Sequence, residues 1–153
     1  MVDPKQRSKK QSNSKKRRNA QRPLKGFTLY LCHNIDFQDV ADSLRRAGVR
    51  FRRHGDYFHG ETPDTELLRL VGKRRWILIT ADQKQRTRLV ERALIARFKI
   101  REFVFTSGEI GDVGRLLVKA SRQMRNLCKS NPGPFVASIS QNGNVAMRSL
   151  RIP

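Results

Sequence analysis

The stretch "WILITADQKQR", residues 76–86, decides how the rest of the chain is read. Trp76 to Ile79 is a near-continuous apolar run, the pattern of a strand covered on both faces of a sheet. It breaks off at Thr80 and Ala81 into Asp82, so the strand delivers a carboxylate to its carboxyl end. A central strand of this kind needs parallel neighbours beside it and helices above and below.

The flanking sequence supplies both. "FTLYLC", residues 27–32, reads as the first strand, and residues 36–47 place Phe37, Val40, Ala41 and Leu44 at helical spacing before Gly48 as a C-terminal cap. "VRFRR", residues 49–53, reads as a second strand. "TPDTELLRLVG", residues 62–72, offers Thr62 as N-cap, Pro63 at the first helical position and Leu67, Leu68, Leu70 and Val71 as buried contacts. Beyond Asp82 come a helix over residues 83–98, a strand "REFVFT" over residues 101–106, and a long helix over residues 113–128 with Leu116, Leu117, Ala120 and Met124 along one side. β-rich runs flank Asn142-Gly143, the preferred two-residue hairpin turn. The sum is a three-layer α/β domain with a mostly parallel central sheet and a C-terminal β-hairpin, without internal repeats.

At 153 residues the chain has room for one domain of ordinary size with a real core. Lys and Arg number 33 against 13 Asp and Glu, a net charge of +20 that suits a polyanionic partner. Residues 1–25 hold ten of those cations, one acid and almost no apolar side chains, so a disordered basic N-terminal arm is expected. The domain beyond it, residues 26–153, stays basic without the arm. That favours nucleic acid, because each cation that neutralises a phosphate releases a counterion, although an idle basic surface explains the same charges. Only Cys32 and Cys128 are present, which excludes a disulfide framework and a paired-cysteine zinc knuckle and points to a cytoplasmic protein. No apolar run follows the basic N-terminus or approaches a membrane span, so neither signal peptide nor membrane anchor is expected.

In such a sheet, ligands collect outside the carboxyl ends of the strands. The polar residues placed there are Cys32, His33 and Asn34 after the first strand, Asp82 after the third, and Thr106, Ser107, Glu109 and Asp112 after the fourth. Asp64, at a helix start, can reach the same rim. Each has a plain structural explanation beside the functional one. Asp82 with Gln85 fits a capping box, and Asp64 complements a helix dipole. Asp36, Asp39 and Asp42 run along a helix that ends in Arg45 and Arg46, a salt-bridged solvated face. Cys32 and His33 are adjacent in a strand and point to opposite faces, poor geometry for a thiol beside its base or for two ligands of one ion, so Cys32 reads as core. His33, His54 and His59 fit surface or hydrogen-bonded positions as readily as functional ones.

Taken in order and spacing, these stretches resemble the PIN-like domain family, in the branch grouped with VapC-type toxin ribonucleases, over residues 27–148. "LYLCHNI" fits the frame of an opening strand that ends in an acid within a D-x-N-like stretch, and "ETPDTELLRLVG" fits a helix beginning T-x-D-x-E-hydrophobic. "WILITADQKQR" fits a strand ending in T-x-D, and "GPFVASI" fits the closing strand. The resemblance implies an RNA-cleaving site in which clustered carboxylates hold Mg²⁺ or Mn²⁺. A hard divalent ion takes oxygen ligands and keeps several waters, one of which is activated for in-line attack on a phosphodiester. By position, Asp64 and Asp82 are implied as catalytic and metal-binding residues, Asn34 as a neutral oxygen ligand, and Cys32, Glu66, Thr80 and Asp112 as their support. RNA contacts are expected from Lys84, Arg86 and Arg88 after the third strand and from Arg52 and Arg53 in the second.

One position departs from the pattern. Cys32 stands where the first-strand acid is expected, and a thiol is a poor magnesium ligand. Its presence removes a negative charge that Asp36 or Asp112 would have to replace. Two functions fit: a metal-dependent endoribonuclease of toxin-antitoxin type, with an antitoxin protein as a further partner, or a PIN-like nucleic-acid-binding module without turnover.

Overall fold

The computed structural model describes residues 23–59, 62–83, 88–106 and 112–150. Most of the expected basic arm lies outside the described residues. Leu24, however, is buried in the core and accepts the Phe27 N–H at 2.9 Å, so the folded domain reaches back into the stretch read as arm.

Six strands form one sheet: β1 Thr28–Leu31, β2 Arg50–Arg53, β3 Ile77–Thr80, β4 Arg101–Phe105, β5 Phe135–Ile139 and β6 Val145–Arg148. Their spatial order is β2-β1-β3-β4-β5-β6, parallel throughout except for the antiparallel β5–β6 pair. Among the described residues four α-helices connect them: α1 Gln38–Ala47, α2 Asp64–Arg74, α3 Leu89–Arg97 and α4 Val113–Ser130, with a short 3-10 turn at His54–Asp56.

All four residues of β3 are buried, as its unbroken apolar run requires. Alternation along the strands divides the interior in two. Leu29, Leu31, Ile77, Ile79, Phe103 and Phe135 face α1 and α4, whereas Tyr30, Cys32, Leu78 and Val104 face α2 and α3. Burying one such aliphatic side chain is worth about 1.5–3 kcal/mol, so the two apolar layers rather than the short strands hold the sheet together.

β1 lies between β2 and β3, so the connections after β1 and β3 depart in opposite directions across the sheet and to opposite faces. A crevice opens at the carboxyl ends of those two strands, the place where open α/β sheets bind ligands. A second topological feature concerns α4. It crosses from β4 to β5 on the α1 face, while α3 crosses from β3 to β4 on the other, although both steps run the same way. The last crossover is therefore opposite in hand to the earlier ones, against the usual uniformity of parallel crossovers. It lets Leu117, Ala120 and Met124 of α4 and Val40 and Leu44 of α1 share one core.

Several element ends differ from the sequence reading. Gly48 caps α1 at φ 74° as expected. At α2, Pro63 rather than Thr62 holds the N-cap position, without a side-chain cap bond, and the helix runs through Gly72 to end on Arg75 at φ 58°. Gly72 serves packing instead: a Cβ there would lie 2.5 Å from Phe98 Cβ. α3 begins only at Leu89, and residues 84–87 lie outside the described residues. Gln83 is not helical; its side-chain amide donates to the carbonyls of Phe105 and Thr106 at 3.4 and 2.5 Å. Asn142-Gly143 does not make a two-residue turn. Residues 140–144 join β5 to β6: Ser140 N–H donates to the Asn144 carbonyl and Gly143 N–H to the Ser140 carbonyl, each at 2.9 Å, with Gly143 at φ 78°, and α4 lies against the loop, where Val145 N–H donates to Gln123 Oε1 at 3.0 Å. Among the described residues no helix is long and apolar enough to cross a membrane.

Candidate active site

The crevice is framed by the segments that leave β1 and β3. Past Leu31 the ladder continues for one residue, with Cys32 N–H donating to Ile79 C=O at 3.1 Å, and the chain then turns through His33 and Asn34. Asn34 ties the two strand ends together. Its Nδ2 donates to Thr80 Oγ1 at 3.3 Å and its Oδ1 accepts the Ala81 N–H at 3.3 Å. Thr80 Oγ1 also accepts the Asp82 N–H at 3.0 Å, which orients the residue that carries the carboxylate. With two donors on its oxygen, the Thr80 hydroxyl is left to donate to the Cys32 sulfur.

Cys32 is buried at 3 % exposure while its neighbour His33 faces solvent, the opposed orientation expected of adjacent strand residues. Burial pushes the thiol well above its ordinary range, and Glu102, Asp64 and Asp82 nearby push it further; only the Thr80 hydrogen bond opposes them. Cys32 is thus a neutral thiol, and no charge stands where the first carboxylate was expected. Glu102, a buried acid in mid-strand at 1 % exposure, was not singled out by sequence reasoning, since "REFVF" reads simply as a strand.

Asp64 and Asp82 do come together. Arg88 Nη1 lies 3.4 Å from Asp64 Oδ2 and 3.0 Å from Asp82 Oδ2, so the two oxygens can be no farther apart than these contacts laid end to end. A third acid, Glu91 in the first turn of α3, approaches the same nitrogen at 4.0 Å. Glu91 is absent from the sequence-based site, because a helix read over residues 83–98 puts it in mid-helix, away from the strand ends. Asp64 lies in the first turn of α2, whose N-cap position is Pro63 without a side-chain cap bond. The capping box read for Asp82 with Gln85 falls partly on residues 84–87, outside the described residues. Burial raises the Asp64 carboxyl above the usual carboxylate range, with Glu91 and Asp82 adding to it, while Arg88 and His33 pull it back only in part. Three carboxylates thus approach one guanidinium nitrogen.

Other candidates are placed elsewhere. Asp112 pairs with Arg115 at 3.3 Å on an exposed surface, and among the described residues no ion pair joins it to the cation shared by Asp64 and Asp82. Asp36 does not lie on the α1 face: it precedes the helix, pairs with Arg53 Nε at 2.6 Å and accepts the Gly55 N–H at 3.0 Å, fastening the 3-10 turn. Asp42 does pair along α1 with Arg45 at 3.5 Å. Arg53 is held by Asp36 and Gln38, whereas Arg52 is exposed, with its guanidinium 6.0 Å from the Trp76 ring centre. Glu66 is exposed on α2, two residues after Asp64. His54 is buried and hydrogen-bonded through Nδ1 to the Tyr30 hydroxyl at 2.8 Å. Lys84, Gln85, Arg86, Ser107 and Glu109 lie outside the described residues.

Residues 33–107 match the family model described as PIN like domain. The fold is PIN-like. The matched span of this PIN-like domain contains Asn34, Asp64, Thr80, Asp82 and Glu91 and begins just after Cys32. No curated protein and no solved structure matches the chain.

The donor set bears on whether such a domain could hold a metal here. Among the described residues no group of three or more His, Cys, Asp or Glu is arranged to hold an ion. Magnesium, however, is commonly held by one or two carboxylates together with waters and substrate phosphate. Asp64 and Asp82, two oxygen donors facing one cation, fit that requirement; Cys32 does not.

Proposed function

We propose that the protein is a Mg²⁺- or Mn²⁺-dependent endoribonuclease with Asp64 and Asp82 as its metal-binding carboxylates. The observation that carries this reading is their convergence on a single guanidinium nitrogen. In a chain of net charge +20 such a pairing of acids is unusual, and Asp64 and Asp82 are the two carboxylates that would hold the ion together with waters and substrate phosphate. PIN-like domains generally use divalent metals, and an ion bound here supplies an activated water and charge stabilisation at a phosphodiester. The residues of the chain do the rest. Thr80 and Asn34 brace the strand ends so that Asp82 is presented at a set position. Glu91 keeps the site electronegative, and the basic surface attracts RNA.

Cys32 favours a second reading, a nucleic-acid-binding module without turnover, since a buried neutral thiol contributes neither ligand nor charge. One experiment separates the two. Incubated with RNA and Mn²⁺, the wild-type protein is expected to cleave and Asp82→Asn to be inactive; equal activity in both, or none in either, removes the site as the catalyst. Cys32→Asp is the companion variant. A gain of cleavage in Cys32→Asp over a silent wild type identifies the binding-module reading.

A further inference from the structure

Next to the carboxylates, on the outer side of α2, lies a pocket of about 590 Å³ that the metal site does not use. Its floor is aromatic, formed by Tyr57 and Phe58 from the segment after the 3-10 turn; its other wall is α2, with Thr65 and Glu66 beside Asp64 and then Arg69, Leu70 and Lys73 farther along the helix. The volume lies within the 300–1,000 Å³ usual for small-ligand clefts.

The aromatic floor is supported from beneath. Tyr57 is 40 % exposed, yet its ring meets Trp76 at 5.3 Å in an edge-on contact and Tyr30 at 6.4 Å, while Tyr30 and Trp76 stack at 6.0 Å with an interplanar angle of 7°. Phe58 is fixed against His54 at 5.4 Å. A large aromatic residue that is held in place while remaining exposed offers a stacking surface at little entropic cost. Arg69 and Lys73 are exposed and bring two positive charges to the rim, and Arg52 adds a third cation beside Trp76. Aromatic floor, cationic rim and adjacency to a phosphodiester-directed site together describe the needs of single-stranded nucleic acid, whose bases stack while its backbone is neutralised.

We infer that this pocket seats an unpaired base of RNA against Tyr57, with Arg69 and Lys73 on the neighbouring phosphates, and so directs the protein to single-stranded RNA. The inference rests on the nuclease reading for its choice of ligand. Its test is made without metal, so that binding and cleavage fail independently.

Full-length protein in EDTA is titrated against three fluorescein-labelled probes: a short single-stranded oligoadenylate, an abasic ribose-phosphate chain of the same length, and an RNA duplex. Tyr57→Ala is expected to weaken the oligoadenylate roughly tenfold, in line with a lost stacking contact, and to leave the abasic chain and duplex unchanged. Tyr57→Trp restores affinity and shows that a folding defect is not the cause. Arg69→Gln with Lys73→Gln weakens all three probes and reduces the salt dependence by about two phosphate contacts. An unchanged oligoadenylate affinity in Tyr57→Ala, or an equal loss on the abasic chain, overturns the inference. Binding that follows this pattern without cleavage refutes the nuclease alone; cleavage with an indifferent Tyr57→Ala refutes the pocket alone.

Discussion

Arg88 lies between Asp64 and Asp82, the two carboxylates proposed to hold the metal ion. A guanidinium cannot be deprotonated under ordinary conditions, so an incoming cation must displace it. In Arg88→Met the competitor is gone, and Mn²⁺ binding measured by calorimetry is expected to tighten by several-fold; an unchanged affinity places the ion elsewhere. The same variant is expected to melt at a lower temperature in EDTA, where its carboxylates have lost the Arg88 counter-charge, and to recover when Mn²⁺ binds the folded state. Asp64 supplies a pH prediction. Burial, with Glu91 and Asp82, raises its carboxyl in the folded protein, so the folded chain retains a proton at a pH where the unfolded chain has released it. The associated stability is present at acid pH and is lost as pH rises through the raised value. Asp64→Asn, which cannot ionise, is therefore expected to be more stable than wild type at neutral pH and no more stable below the ordinary aspartate range, as read from denaturant midpoints at the two pH values. Asp64 and Asp82 were legible in the sequence because T-x-D patterns stand at recognisable element ends. Glu91 was not, since its importance depends on where α3 starts and which way its first turn faces.

At the scale of the elements, apolar patterning located the six strands and the four α-helices of the described residues but not the 3-10 turn at His54–Asp56, and which helix packs on which was settled by shape. Gly114, near the start of α4, shows why. A Cβ there would lie 2.7 Å from both Cβ and Oγ of Ser43 and 3.3 Å from Val40 Cα, so α1 and α4 approach at a point where only a hydrogen fits. Gly114→Ala is expected to cost about 1–3 kcal/mol in urea unfolding without altering RNA affinity of the folded protein. With Ser43→Gly added, the double variant should be less destabilised than the sum of the two singles, because the contact that creates the clash is gone; strict additivity would refute the close approach. The helix ends were less legible. Arg75 closes α2 in the left-handed region usually reserved for glycine, while Gly72 lies within the helix against Phe98, so the glycine that looked like a stop signal is there for contact.

For the molecule as a whole, a net charge of +20 predicts that RNA affinity falls linearly with salt on logarithmic axes, with a slope of about −0.7 for each phosphate contact on a single strand. A flat response between low and physiological salt, measured by anisotropy in EDTA, would contradict a polyanionic ligand. Charge is a property of composition, and the three-layer architecture follows from an apolar run too continuous for any strand not covered on both faces, so the sequence alone determined both. It also determined that Cys32 is core and that two aspartates stand at element ends. Only the tertiary structure decided that those aspartates meet, that Arg88 lies between them, and that Glu91 joins them while Asp112 does not. Periodicity reports which face of an element is buried, but distances between separate elements depend on how their side chains interlock. The order β2-β1-β3 then sets the place: it opens a crevice where residues far apart in the chain share a single cation.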